Sequence, residues 1–390
     1  MVTVVDTPTP GEHHVNTTQR RFVLVGIASL ALLATACGSD NKSTATDAAV
    51  TTVVSDTTGA TDTTKAPAEL AAELNASGAT FPQTFYEEVI ASFNTDNSGV
   101  AINYGGGGSG KGRQDLADQL VDFAGTDGVI KDADIAGFKG GEVLYFPTVV
   151  APITVSFNVS GVDTLALSPA TIANIFQRTI TNWNDKAIAA DNPGATLPDL
   201  AITVVHRSDS SGTTGNFSKF LEKSVGKDAG AIWKLGTDST IEWPADTQAG
   251  EGNSGVAQVI SSTDGAIGYV DLSDATDAGL TFASIQNKAG KFIEPSLEGA
   301  SAAAASAEIK DNLTYSAIWA QGADAYPITA QTWLIAYKKQ PDAAKADALK
   351  AFIDYILTDG QKLAADVNYA PLPAELAAKA IAQLDMFEIG

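Results

Sequence analysis

The sequence predicts an α/β protein, and three observations carry that prediction. From about residue 69 onward, short alternating apolar runs give way to helical apolar stripes. The switches pass through segments rich in Gly and Ser or Thr. The chain has 390 residues, 44% hydrophobic and 18% charged, which is enough for two domains and a substantial core.

The elements follow in chain order. In ATFPQTFYEEVIASFN the residues Phe81, Phe85, Val89, Ile90 and Phe93 form a helical stripe. Pro82 suits its first turn, and Thr80 suits its cap. GVAINY, residues 99–104, alternates as a strand and runs into the glycines. KGRQDLADQLVDF then predicts a helix carrying Leu116, Leu120 and Val121. LAITVV, residues 200–205, predicts a strand. It leads through HRSDSSGTTG into the helix NFSKFLEK, with Phe217, Phe220 and Leu221 inward. Near the end, DAAKADALKAFIDYIL places Ala346, Leu349, Phe352, Ile353 and Ile356 on one packing face. The tryptophans, Trp183, Trp233, Trp243, Trp319 and Trp333, read as packing residues.

The amino terminus reads as an address. Arg20 and Arg21 precede an apolar run over residues 22–36 that ends in LLATAC, the form of a secretory signal. The run is shorter than the ~20 residues that span a bilayer comfortably. Cys37 is the sole cysteine and follows the small residues directly. That arrangement resembles a bacterial lipobox, which implies a lipidated Cys37 as the mature amino terminus. Ala34 departs from the leucine usual there. The alternative is an ordinary cleaved signal with an incidental cysteine. The paired arginines leave both the general and the twin-arginine export routes open. Residues 38–68 are rich in Thr, Asp, Ala and Ser without an aromatic, and predict a disordered leash.

Composition excludes several function classes. A net charge of -22 argues against nucleic acid, which basic surfaces bind. One cysteine forbids an internal disulfide or a cysteine zinc cluster. Of the histidines His13, His14 and His206, only His206 lies in the folding region, so neither metal nor cofactor is expected. The acidity does not exclude a small anion, which responds to local donors more than to screened distant charge.

The stretch YGGGGSGKG, residues 104–112, approaches a P-loop but has Gly112 where a magnesium-holding Ser or Thr belongs. It shares its form with SGATF and HRSDSSGTTG: glycine and hydroxyl residues just before a helix. Helix starts leave N–H groups unpaired, and such ends attract anions. Any one of them is equally a plain cap. Together, with Arg207 inside one, they point to an oxyanion. Asp127 in VDFAGTDGVI, taken alone, is a solvated turn residue.

The ordered set SGATFP, GGGGSG, VDFAGTD, FPTVVAPI, HRSDSSGTT, GAIGYV and YPIT resembles the phosphate-binding proteins of bacterial phosphate ABC importers. The resemblance runs from about residue 70 to the end. It implies the two-lobed periplasmic-binding-protein fold of type II, with mixed, mostly parallel sheets flanked by helices. The lobes would be residues 69–148 with 323–390, and 149–322, joined by crossings near 147–149 and 322–326. It further implies a binding protein and not an enzyme, which closes over one phosphate and docks on a membrane permease.

Carried onto this chain, the resemblance gives Thr80 a hydroxyl role and Phe81 a backbone N–H role. Ser109 becomes a hydroxyl donor, and Asp127 accepts the proton of the phosphate. Arg207 makes charge-assisted bonds and is held by Asp209. Ser211, Gly212 and Thr213 supply hydroxyl and backbone donors. Gly110 replaces a second serine common in the family. Lys111 reads as a solvated first-turn residue, or alternatively as added charge near the ligand. His206 is expected to pack beside the site. An arsenate-type oxyanion protein is the nearest alternative function. A secreted phosphatase is less favoured, since His206 would be its sole histidine and Lys111 breaks the G-x-S-x-G form. A structural surface lipoprotein leaves the ligand loops unexplained.

Overall fold

The computed structural model describes residues 70–226 and 230–390. The chain divides into two compact units, Met1–Thr64 and Lys65–Gly390, and every described residue belongs to the second. The expectations for the signal, for Cys37 and for the leash lie outside the described residues.

In chain order, β1 (Ala72–Gly78), α1 (Gln83–Asp96), β2 (Val100–Gly107), α2 (Ser109–Ala117) and β3 (Phe123–Thr126) lead to the long β4 (Val143–Asn158). Then come β5 (Ala166–Leu167), α3 (Pro169–Phe176), α4 (Lys186–Asp191), β6 (Thr203–Arg207), α5 (Gly212–Val225), β7 (Gln248–Gly250), α6 (Gly252–Ser262) and β8 (Ala266–Asp271). The chain continues through α7 (Leu272–Asp277), β9 (Thr281–Phe282), β10 (Ser284–Gln286), β11 (Phe292–Ile293) and α8 (Leu297–Ala305). It returns in β12 (Thr329–Tyr337), β13 (Lys339–Gln340), α9 (Ala343–Leu357), α10 (Ala374–Gln383) and β14 (Glu388–Ile389).

The main sheet runs β2-β1-β3-β12-β4-β8-β6-β7. Its outer pairs are parallel, β1 with β2 and β3, and β6 with β7 and β8. Its centre is antiparallel, where β12 meets β3 and β4, and β4 meets β8. β4 spans two differently paired halves of the sheet. Its first part pairs with β12 as far as Pro152, and from Ile153 it pairs with β8. The return passes the same point, where Ile153 N donates to Ile328 O and Tyr326 Oη donates to Ile153 O. Both faces of β4 and β12 are covered, so their sequences read as continuous apolar runs without alternation.

Several boundaries differ from expectation for identifiable reasons. Thr80 does not cap α1; Pro82 holds the cap position and no side chain bonds there. The strand after Gly99 continues through the glycines to Gly107, because β2 goes on pairing with β1 to its end, across a one-residue register shift between Ser77 and Gly78. The helix expected through Leu120 and Val121 stops at Ala117, with Gln119 in the left-handed region and Leu120 69% exposed. Sheet pairing overrides helix propensity there. Asp122 exchanges bonds with Asn75, its N–H donating to Asn75 O and its carboxylate accepting from Asn75 N, and β3 then joins β1. The strand expected over 200–205 is shifted to β6, with only a bridge at Ala201. α5 starts at Gly212, earlier than its apolar stripe indicates, because Ser211 caps it. The stripe of α9 is buried as its spacing requires.

Candidate functional site

Strands β1, β2, β3, β6 and β7 all end in loops that meet between the lobes, the usual place for a ligand in an open α/β sheet. The first lobe supplies one wall. The loop after β1 carries Thr80, whose Oγ1 is buried without a partner among the described residues. Phe81 follows, wholly buried, its carbonyl accepting from Tyr369 Oη at 2.6 Å. β2 ends at Gly107, and Gly108 has φ 90°, a conformation glycine adopts without strain. A Cβ on Gly108 would overlap Asp209 and Ser210 of the other wall. Ser109 then opens α2.

Asp127, just past β3, is only 2% exposed. Ser109 Oγ donates to its Oδ2 at 3.2 Å and accepts from its N–H at 3.1 Å. Thr332 on β12 donates to its Oδ1 at 2.7 Å. Burial pushes this carboxyl up to about 6, while the bonds from Thr332 and Ser109 and the charges of Arg207 and Arg113 pull the other way.

The second lobe supplies the other wall. β6 delivers Arg207, 4% exposed. Its Nε donates to Asp209 Oδ1 at 2.7 Å and its Nη2 to Asp209 Oδ2 at 2.5 Å, a bidentate pair. Its Nη1 donates to Asn253 Oδ1 at 3.0 Å and to Thr213 Oγ1 at 3.4 Å. Asp209 also accepts from Gly252 N at the start of α6. Ser211 Oγ caps α5 by accepting from Thr214 N. Gly212 and Thr213 thus stand in the first turn, where N–H groups have no intrahelical partner.

The walls are in contact. Gly110 N donates to Ser210 O at 2.9 Å, main chain to main chain across the seam. Asn216 Nδ2 donates to Asp127 O at 2.8 Å, and Gln331 Nε2 to Asn216 Oδ1 at 3.2 Å. Lys131 and Asp238 pair at the rim. A Cβ on Gly212 would overlap Asp127 Oδ2 and Ser109 Oγ. This is a closed arrangement, and glycine makes it possible.

All nine candidate residues therefore converge on one cleft: Thr80, Phe81, Ser109 and Asp127 from one side, Arg207, Asp209, Ser211, Gly212 and Thr213 from the other. Thr80 faces the second wall, its Cγ2 being 3.6 Å from where a Cβ on Gly252 would stand. Lys111 is exposed and pairs with Asp115. His206 bonds Arg207 O and Thr247 Oγ1 and stacks on Trp243.

Sequence reasoning missed Asn253, Thr332, Asn216 and Arg113. Asn253 is wholly buried, and its Nδ2 has no partner among the described residues. Its stretch GEGNSG repeats the glycine-before-helix form of the other loops, a signal that was available. Thr332 lies within a buried strand and carries no local signal. Among the described residues no cluster of His, Cys, Asp and Glu fits a metal, and no helix is long and apolar enough to cross a membrane.

Residues 42–360 match the family model described as the PBP superfamily domain. The chain is 35% identical over 316 residues to the phosphate-binding protein PstS of Pasteurella multocida, covering 80% of this chain and 89% of that one. It is 35% identical over 314 residues to the phosphate-binding protein PstS of Methanocaldococcus jannaschii, covering 74% and 79%. The fold resembles a phosphate-binding protein from Stenotrophomonas maltophilia, with TM-score 0.65, 20% identity, and 80% and 93% coverage. It also resembles a putative phosphate ABC transporter substrate-binding protein with bound phosphate from Clostridium perfringens, with TM-score 0.58, 17% identity, and 77% and 100% coverage.

Proposed function

The chain belongs to the PBP superfamily and to its phosphate-binding PstS proteins, and from that premise we propose that it captures inorganic phosphate outside the cytoplasm for an ABC importer. It is a binding protein and not an enzyme. The observation that carries the reading is a buried carboxylate, Asp127, set opposite buried donors that lack partners. Among the described residues Thr80 Oγ1 and Asn253 Nδ2 are unpaired, and the N–H groups of Gly212 and Thr213, at the start of α5, precede the first intrahelical bond. Each buried donor left unpaired costs about 1–3 kcal/mol, which an oxyanion would recover.

In this reading Thr80, Ser211 and Thr213 give hydroxyl donors, Ser109 gives one by turning its O–H from Asp127 Oδ2 to the ligand, and Phe81 and Gly212 give backbone N–H donors. Arg207 supplies charge. Asp209 fixes the guanidinium plane. Asp127 selects the ligand. Two like charges 4 Å apart repel by roughly 4 kcal/mol at an effective dielectric of 20. Sulfate has no proton to relieve that repulsion near neutral pH. Phosphate does, and repulsion becomes a hydrogen bond. Arsenate carries the same proton and is not separated by this device.

Each wall holds part of the donor set, so ligand favours the closed state. The proposed lobes are residues 69–148 with 323–390, and 149–322, hinged on β4 and on the return through Tyr326. Lipidation at Cys37 would tether the protein to the outer face of the cell membrane, residues 38–68 acting as leash. Calorimetric titration of the protein, stripped of ligand, with phosphate and then sulfate tests the reading. Tight phosphate binding without sulfate heat supports it. Equal binding of both removes the role of Asp127, and binding of neither by folded protein overturns the function.

A further inference from the structure

β8 ends at Asp271, which is fully buried. Asp271 stands opposite Ile153 on β4, where Ile153 N donates to Ile328 O and Ile153 O accepts from Tyr326 Oη. Its Oδ1 accepts from Asp274 N at 3.1 Å and so caps the short α7. Its Oδ2 is buried with no partner among the described residues. The carboxyl of Asp274, half-buried on α7, lies within hydrogen-bonding reach of the Asp271 carboxyl. Two acids therefore face each other in a dry place.

Their surroundings do not balance two negative charges. Arg207 on β6 is the cation that acts on Asp274, and its bonds go to Asp209, Asn253 and Thr213. The other charged groups acting on Asp274 are acids, Asp277 on α7 and Glu87 on α1. Tyr369 faces both acids, and its hydroxyl donates to Phe81 O. Ser273 Oγ beside it is buried without a partner among the described residues. A buried carboxylate with neither cation nor donor is far costlier than a protonated acid. Protonated, Asp271 donates from Oδ2 to the Asp274 carboxylate, and repulsion becomes a hydrogen bond. Burial, and then the charge of Asp274, hold the Asp271 carboxyl well above the usual carboxylate range. Burial raises Asp274 too, against the pull of Asp271 and Arg207.

We propose that Asp271 and Asp274 share one proton, and that the pair is a pH-sensitive lock on the closed arrangement. The pair stands on the side of Arg207. Glu87, and Tyr369 which holds the loop of Thr80 and Phe81, stand on the other side. Hydroxide takes the shared proton away as water and leaves two carboxylates. The added charge then meets Glu87 and Tyr369 across the seam and pushes the two sides apart. The sign follows from proton binding. The folded pair keeps a proton that the unfolded chain releases in the ordinary carboxylate range, so stability falls as pH rises through the raised value.

Infrared spectroscopy of the native protein at about pH 8 should show a protonated carboxyl band, since Asp127, at about 6, is ionised by then. Asp271→Asn should remove the band, because its Nδ2–H replaces the shared proton while its Oδ1 still accepts from Asp274 N. If that variant does not fold, Asp274→Asn should remove the band instead, its amide donating to an ionised Asp271. No band in the native protein, or a band that survives in a folded variant, overturns the proposal. The lock is read from phosphate affinity, an arm that rests on the phosphate reading. From about pH 7 to about pH 9 the native affinity should fall about three- to tenfold relative to that of Asp271→Asn, phosphate itself ionising identically in both. A constant ratio overturns the lock. If the native protein binds no phosphate, that reading fails and thermal unfolding decides the lock. The native midpoint should then fall faster with rising pH than that of Asp271→Asn, and parallel curves overturn it.

Discussion

The two walls of the cleft do different work. The wall from β6 and α5 carries a cation already balanced by its own anion, since Arg207 and Asp209 form a buried bidentate pair. The wall from β3 carries an anion, Asp127, bonded only by neutral groups. One wall presents oriented donors at little net charge. The other presents an acceptor in a place that resists negative charge. Affinity is thus expected to reside mainly in the second lobe and selectivity in the first. An acidic protein of net charge -22 can hold an anion because the local donors, and not the total charge, set the field in the cleft.

The strongest way to break this division is Arg207→Ala. Asp209 would be left buried beside a missing cation, which typically costs about 3–5 kcal/mol. Phosphate binding should fall by more than a hundredfold, about 2.7 kcal/mol, with a drop in thermal unfolding temperature. Calorimetry and a melting curve check both parts. Retained micromolar binding would place the affinity elsewhere.

Gly212→Ala separates the walls without touching any charge. The added Cβ overlaps Asp127 and Ser109 across the seam. Affinity should drop by roughly tenfold to a hundredfold, because the closed state is lost while each lobe stays folded. Small-angle scattering with phosphate should show a more open particle than the native protein. An unchanged affinity would mean that closure does not bring these walls together.

Asp127→Asn sharpens the comparison by removing selectivity alone. Loss of a charge-assisted bond should lower phosphate affinity by about 1.5–3 kcal/mol, while sulfate gains a donor in place of a repelling carboxylate. The narrowing of the phosphate-to-sulfate ratio is the readout. A variant that still ignores sulfate would show that the first wall does not discriminate.

The same contrast has a pH form. The Asp127 carboxyl sits raised, at about 6, so it binds its proton below that value and releases it above. Near pH 7 it only accepts; near pH 5 it donates. Sulfate affinity of the cleft should therefore rise as pH falls through 6, measured by calorimetry across that range. A flat profile would remove Asp127 from the proton test. The smallest effect is expected at the rim, where Lys131→Ala removes an exposed pair with Asp238 and should cost under about 1 kcal/mol in affinity.

Much of this site was legible because its parts are local. A strand, a glycine turn and a hydroxyl before a helix occupy consecutive residues, so Ser109, Arg207 and Ser211 could be read from short stretches. The partners across the cleft were less accessible. Thr332 reaches Asp127 over 205 positions of sequence, and Asn253 reaches Arg207 over 46, so no short stretch contains either contact. Fold class was legible from alternating strands and helices, whereas helix ends were not. Leu120 looked like a core residue because its stripe continued, but the chain had to turn early so that Phe123 and Ala124 could join β1. Closure was legible only through the family resemblance and not from the residues themselves, since it depends on Gly108, Gly110 and Gly212 meeting surfaces that the sequence places far away.

The seam bond from Gly110 N to Ser210 O has a mechanical consequence. It joins peptide to peptide, so titration cannot switch it, and it holds only while residue 110 has no Cβ to overlap Ser210. A latch of that kind yields to force applied through the bodies it joins. On the proposed importer reading, release of the cargo would become a matter of leverage: a receptor that grips one lobe and twists it against the other would work through β4 as a torsion bar, peeling the clasp open from its end.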